Sequence, residues 1–245
     1  ELFRRLNLAP GGTAALVRMR EQLLDAMAHR SDLAVVDADF VHLFSSWFNR
    51  GFLVLRDIDW STPANILEKI IKHEAVHKIR SWDDLRRRID PDDRCCFAFF
   101  HPALVDEPLI FVEVALTDDM PGSIAPILSA SRTILDANQV DTATFYSISN
   151  CQRGLAGVSF GNFLIKQVVE EISKINPRLK TFVTLSPVPG FASWLKRERQ
   201  SDSSRALTQD DLDALANLDI EGWWQIAEIR EPVEEPLKRA AAWYF

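Results

Sequence analysis

The stretch that decides the fold is "FYSISNCQRGLAGVSFGNFLIKQVVEEI", residues Phe145 to Ile172. Phe145–Ser149 mixes aromatic, β-branched and hydroxyl residues, as a strand does, while the apolar positions from Phe163 onward recur at the helical period. Between them lie Gly154, Gly157 and Gly161. A strand that passes through a glycine loop into a helix start presents backbone N–H groups that converge on an anion. Ala156, Gly157, Val158, Ser159, Phe160, Gly161 and Asn162 form this candidate cradle, and a pyrophosphate suits it. The glycine spacing is not G-x-G-x-x-G, and no Lys-Ser/Thr follows Gly161 as in nucleoside triphosphatases. Glycines so placed also serve a tight turn and close helix packing, so the loop alone leaves both readings open.

Outward from that loop, the elements alternate. Leu16, Met19, Leu23, Leu24 and Met27 follow the 3.6 period after Gly11-Gly12-Thr13, where Thr13 is expected to cap the helix, and a second helix is expected near Asp39–Phe48. After Gly51 the apolar run Phe52–Leu55 reads as a buried strand, which places a domain boundary near residue 50: the end of a helical domain over 1–50 and an α/β domain over 51–245. Pro63 opens a helix expected over Ala64–Ile79. Ser81, with Asp84 three residues on, resembles a capping box and opens the next. Strands are expected over Cys95–Phe100, Leu109–Leu116, Thr144–Ser149 and Thr181–Leu185, with a helix over Asn162–Ile175 that stops before Pro177. From Phe191 the chain reads as helical to its end, interrupted at 200–205.

A chain of 245 residues with 47% hydrophobic content can bury a sizeable core. No apolar run approaches the roughly 20 residues of a membrane-spanning helix, so no membrane partner is expected. The net charge of −7 argues against a broad nucleic-acid surface. Three cysteines, two of them adjacent, supply neither a disulfide framework nor a C-x-x-C pair, which points to a reducing, cytoplasmic setting or an organelle matrix. The chain starts at Glu1 without a signal core and stops on the apolar Ala-Ala-Trp-Tyr-Phe. It is expected to be incomplete at both ends.

"KIIKHEAVHKI", residues 69–79, contains His73-Glu74-Ala75-Val76-His77, a literal H-E-x-x-H. On a continuous helix both imidazoles would face one side, as zinc requires. A third ligand is lacking in the extended pattern, because Arg80 stands for its glycine and Asp83 for its third histidine. Structural histidines are the better reading, and no metal is expected. Ser147, Ser149 and Ser186 lack the G-x-S-x-G context of a serine hydrolase.

The order of strand, two helices, three strands, glycine loop, helix and strand matches the acyl-CoA-binding fold of the GCN5-related acetyltransferases. More specifically, the words Glu74–His77, Trp82–Arg88, His101-Pro102, Glu107–Ile110, Phe145–Ser149, Gln152–Leu155 and Leu185–Phe191, in order along nearly the whole chain, resemble the malonyl-CoA decarboxylase family. The resemblance implies an N-terminal helical domain followed by an acetyltransferase-like mixed sheet flanked by helices, truncated at its C-terminus. It implies decarboxylation of malonyl-CoA to acetyl-CoA and carbon dioxide without a cofactor, and an oligomer built through helical-domain contacts. By motif the family's catalytic serine falls on Ser186, and residues 156–162 become the coenzyme A pyrophosphate loop. Breaking the bond to the carboxylate leaves an enolate, so donors near the thioester oxygen are needed; the backbone around Ser149–Cys151 or the glycine loop is expected to supply them. The family's catalytic histidine belongs to a segment beyond Phe245, and no histidine follows His101 here, so the chain by itself is expected to be inactive. An acyltransferase of the same fold and a non-catalytic coenzyme A-binding protein are the alternatives.

Overall fold

The structure, a computed structural model, describes residues 1–158, 163–201 and 203–245. Two compact units divide the chain, Glu1–Ser186 and Pro187–Phe245.

The first unit starts with helices α1 (Leu2–Asn7), α2 (Gly12–Met27) and α3 (Ala34–Trp47). Thr13 does not cap α2: Gly11 holds the N-cap at φ +70°, and the Thr13 hydroxyl turns back to Asn7. The sheet then follows as β1 (Val54–Asp57), β2 (Arg94–Phe100), β3 (Pro108–Thr117), β4 (Thr142–Asn150) and β5 (Thr181–Thr184), in that spatial order. The first four strands pair antiparallel, and β5 joins β4 in parallel through the crossover helix α7 (Phe163–Ile175). Between β1 and β2 lie α4 (Ala64–His73) and α5 (Trp82–Ile89), and the short α6 (Ala125–Leu128) lies between β3 and β4.

The strand period of two sorts the core. Phe97 and Phe99 of β2, with Val112 and Val114 of β3, pack with Leu16, Phe40, Phe44, Val168 and Ile172 of α2, α3 and α7. Cys96, Ala98, Phe100 and Phe111 face the other way, onto Ile66, Ile70, Leu85 and Ile89 of α4 and α5. The N-terminal helices thus share one core with the sheet. The expected α/β architecture of a helical segment followed by a mixed sheet flanked by helices is present. The expectation of a buried first strand is not met: β1 starts two residues later than expected, is an edge strand with three exposed residues, and leaves Phe52 outside it. A continuous apolar run does not tell an edge from a centre.

Two details prepare the site. The β3–β4 register shifts after Glu113, which pairs with Ser147 while Val114 pairs with Phe145, so Tyr146 is the extra residue of a bulge. The parallel pairing of β4 with β5 ends at Phe145 and Thr184, with one more bond from Leu185 N to Phe145 O at 2.8 Å. Beyond it, Tyr146–Asn150 has no β5 partner.

The second unit holds α8 (Phe191–Arg199), α9 (Gln209–Leu215) and α10 (Ala227–Tyr244) around Leu195, Leu215, Val233 and Ala240. Thr208 and Asp211 form a reciprocal capping box at α9. Among the described residues no helix is long and apolar enough to cross a membrane.

Candidate functional site

The glycine loop begins where β4 ends. Arg153–Leu155 forms one 3-10 turn, followed by Gly157 in the left-handed region at φ +77°, open to glycine without steric cost. Ala156, Gly157 and Val158 border a cavity of about 550 Å³ with Asn150, Cys151, Arg153 and His73. The Ala156 and Val158 N–H groups close turns onto Arg153 O and Leu155 O. The remaining expected cradle residues, Ser159, Phe160, Gly161 and Asn162, lie outside the described residues. Gly154 is tightly enclosed, since an added Cβ would sit 2.1 Å from Val17 O of α2.

Arg20 is the residue that reading by motif overlooked. It lies on the buried stripe of α2 with Leu16 and Val17, 2% exposed, and its Nη1 donates to Gly154 O at 2.8 Å and Ala156 O at 2.7 Å. Asp37 of α3 accepts from Nε at 2.8 Å and completes the pairing. The guanidinium draws the two loop carbonyls toward itself and fixes the course of the chain through Gly154–Ala156. An arginine on an otherwise apolar helical stripe was the available signal, because such a charge needs a buried partner.

The expected helix over Ala64–Ile79 is shorter than the sequence suggested. α4 ends at His73, and Glu74 leaves the helix with ψ 108°, so the two histidines do not share a helical face. Glu74 itself causes this. Its Oε1 accepts the Val76 and His77 N–H groups at 2.8 and 2.6 Å, and its Oε2 accepts Ser147 Oγ at 2.7 Å and Ser149 Oγ at 3.3 Å. The motif's glutamate is a clamp between a loop and β4. His73 borders the glycine-loop cavity, while His77 borders a different cleft beside Tyr146. Burial holds both imidazoles below their usual range. Among the described residues no group of three or more His, Cys, Asp or Glu side chains is arranged to hold a metal ion.

On β3, opposite Ser147, the clamp continues into Glu113, fully buried, whose Oε2 accepts from Arg88 Nη1 at 3.3 Å. Burial pushes the Glu113 carboxyl up to about 8, and the neighbouring Glu74 adds to the shift while Arg88 opposes it. The buried Tyr146 side chain hydrogen-bonds the Glu113 carboxyl and, like Arg88, opposes the upward shift.

Ser186 is exposed and directly follows Leu185, whose N–H makes the last bond to β4. It therefore stands near the Tyr146 bulge, whereas the glycine-loop cavity lies at the other end of the free β4 segment. At about 3.3 Å per residue, Tyr146 to Asn150 spans roughly 13 Å. Ladder alternation, anchored by Phe145 O toward β5 and by Cys151 N donating to Leu109 O at 2.8 Å, turns the backbone groups of Ile148 and Asn150 to the open side. Within the Ser149–Cys151 stretch expected, with the glycine loop, to supply oxyanion donors, the Cys151 N–H is taken by the ladder to β3.

Residues 51–245 match the family model described as "Malonyl-CoA decarboxylase C-terminal domain", and residues 1–48 match "Malonyl-CoA decarboxylase N-terminal domain". Among curated proteins, the chain is 38% identical to a mitochondrial malonyl-CoA decarboxylase of Anser anser anser, over 99% of this chain and 53% of that protein. It is 36% identical to the mitochondrial malonyl-CoA decarboxylase of Rattus norvegicus, over 99% of this chain and 54% of that protein. The chain thus spans about half the length of these relatives. Among solved structures, a malonyl-CoA decarboxylase from Rhodopseudomonas palustris superposes with a TM-score of 0.94 at 61% identity, over 100% of this chain and 59% of that one. One from Agrobacterium vitis gives 0.92 at 59% identity with the same coverage.

Proposed function

The chain belongs to the malonyl-CoA decarboxylase family, and from that premise we propose that it carries the coenzyme A-binding part of an enzyme converting malonyl-CoA to acetyl-CoA and carbon dioxide. The observation that carries this reading is the Tyr146–Asn150 edge, which among the described residues has no β5 partner and runs from the glycine-loop cavity at one end to Ser186 at the other. The pantetheine arm is an extended chain with two amides, and it pairs with such an edge as an added strand would. Residues 156–162 then hold the pyrophosphate, Arg20 supports the loop from behind, and the thioester arrives at the bulge.

There the bond to the carboxylate breaks, carbon dioxide leaves, and the electron pair passes into the enolate of the thioester. The backbone N–H of Ile148, on the open side of β4 beside the bulge, stabilises the enolate oxygen. The Ser186 hydroxyl, with a histidine that the family resemblance places in a segment following Phe245, delivers a proton to the new methyl carbon. This chemistry asks for no metal or organic cofactor.

The test uses a full-length polypeptide given malonyl-CoA and no acyl acceptor. Release of carbon dioxide in step with acetyl-CoA is expected. Acyl transfer that appears only when an amine acceptor is added, with no carbon dioxide, would replace the reading with that of an acyltransferase.

A further inference from the structure

A malonyl thioester carries a second anion beyond its sulfur, and the glycine-loop cavity addresses only the phosphate end. Resting on the function proposed above, we propose that the cleft of His77, Lys78, Arg80 and Arg87 receives the free carboxylate of the acyl group. The cleft has a volume of about 400 Å³ and is separate from the glycine-loop cavity.

Its position fits the end of the arm. The His77 ring lies 6.3 Å from that of Tyr146, the bulge residue where β5 leaves β4. Leu128 on the cleft wall belongs to the same apolar cluster as Tyr146 and Leu185, and Leu185 immediately precedes Ser186. An acyl chain that reaches the bulge between Ser186 and His77 is therefore next to this cleft.

Its charge fits as well. Among the described residues, Lys78 and Arg80 form no ion pair, and Arg87 has only a 3.3 Å contact with Asp84. Asp84 is the one carboxylate on the cleft, and it already accepts from Arg80 N at 3.0 Å and is paired with Arg88 at 3.4 Å. Arg88 is committed to the wall: it donates to His77 O at 2.7 Å, to Lys78 O and to Glu113. What remains to face a ligand is cationic. Lys78, Arg80 and Arg87 are exposed, so their hold on an anion is moderate. That suits a carboxylate whose charge must pass to the enolate, because a tight ground-state grip would oppose the reaction. The product has no carboxylate and makes no such contact.

The experiment compares the full-length protein with Arg80→Gln, Lys78→Gln and the double variant, measuring KM for malonyl-CoA and the inhibition constant of acetyl-CoA. The double variant is expected to raise KM about tenfold, while acetyl-CoA inhibition stays within about twofold. An unchanged KM, or an equal weakening of both ligands, overturns carboxylate recognition while leaving the decarboxylase reading in place. A parent protein that turns over no malonyl-CoA overturns that reading, and this inference with it.

Discussion

Ser147 Oγ donates to Glu74 Oε2 at 2.7 Å across 73 positions of sequence, and this one bond joins the end of α4 to the strand that lines the proposed substrate edge. Ser149 accepts the Ala75 N–H at 3.2 Å beside it. The same Glu74 adds to the upward shift of the buried Glu113 carboxyl, which lies opposite Ser147 on β3.

Stability should fall as pH rises through the neutral range because of Glu113. The unfolded carboxyl releases its proton near 4.5, whereas the folded protein keeps it to about 8. Between those values the native state binds more protons, so this contribution is fully present below pH 4.5 and is lost as pH approaches 8. Glu113→Gln removes the titration, and its unfolding free energy should gain on the parent by a few kcal/mol, on the order of 3, from pH 5 to pH 8. Parallel urea-unfolding profiles would rule the buried acid out as the cause.

Arg20→Met keeps an unbranched apolar stem but leaves Asp37, Gly154 O and Ala156 O without their donor. A buried charged hydrogen-bond group lost in this way costs about 3 kcal/mol, seen as a lowered urea midpoint. Coenzyme A affinity should fall in variant protein that remains folded, and intact affinity there would remove Arg20 from any part in shaping the loop.

Gly157→Val tests the cradle through the backbone. Nothing lies within 4 Å of the position its Cβ would take, so the penalty comes from φ +77° rather than from a clash. A β-branched residue there costs about 1–2 kcal/mol and pulls the loop out of shape. Titration calorimetry should show coenzyme A binding weakened about tenfold, and the same should hold for Gly161→Val. Unchanged affinity in both folded variants would take residues 156–162 out of the binding site.

Ser186→Ala should leave stability within about 0.5 kcal/mol, because the side chain is exposed. In a full-length polypeptide, kcat should drop on the order of 10²-fold, about 3 kcal/mol of barrier, while acetyl-CoA affinity holds. Decarboxylation at the parent rate would reduce Ser186 to a turn residue.

Some of this was legible locally. β2 to β5, α7 and the Ser81 cap, whose Oγ accepts Asp84 N at 3.1 Å, follow from period, turn residues and cap chemistry, all of which act between near neighbours. The family words are likewise carried by short segments, and the proposals for Ser186 and residues 156–162 start from them. Tertiary structure decided the rest. Helical periodicity runs unbroken toward Ile79, yet α4 stops at His73 because Ser147 and Ser149 come from β4 to share the carboxylate of Glu74, a contact that no local window contains. The bulge at Tyr146, the buried state of Glu113 and the reach of Arg20 to Gly154 and Ala156 arise in the same way. In each, a polar group accepts the conformation that satisfies distant partners, since leaving it unpaired in the core would cost more than local propensity returns.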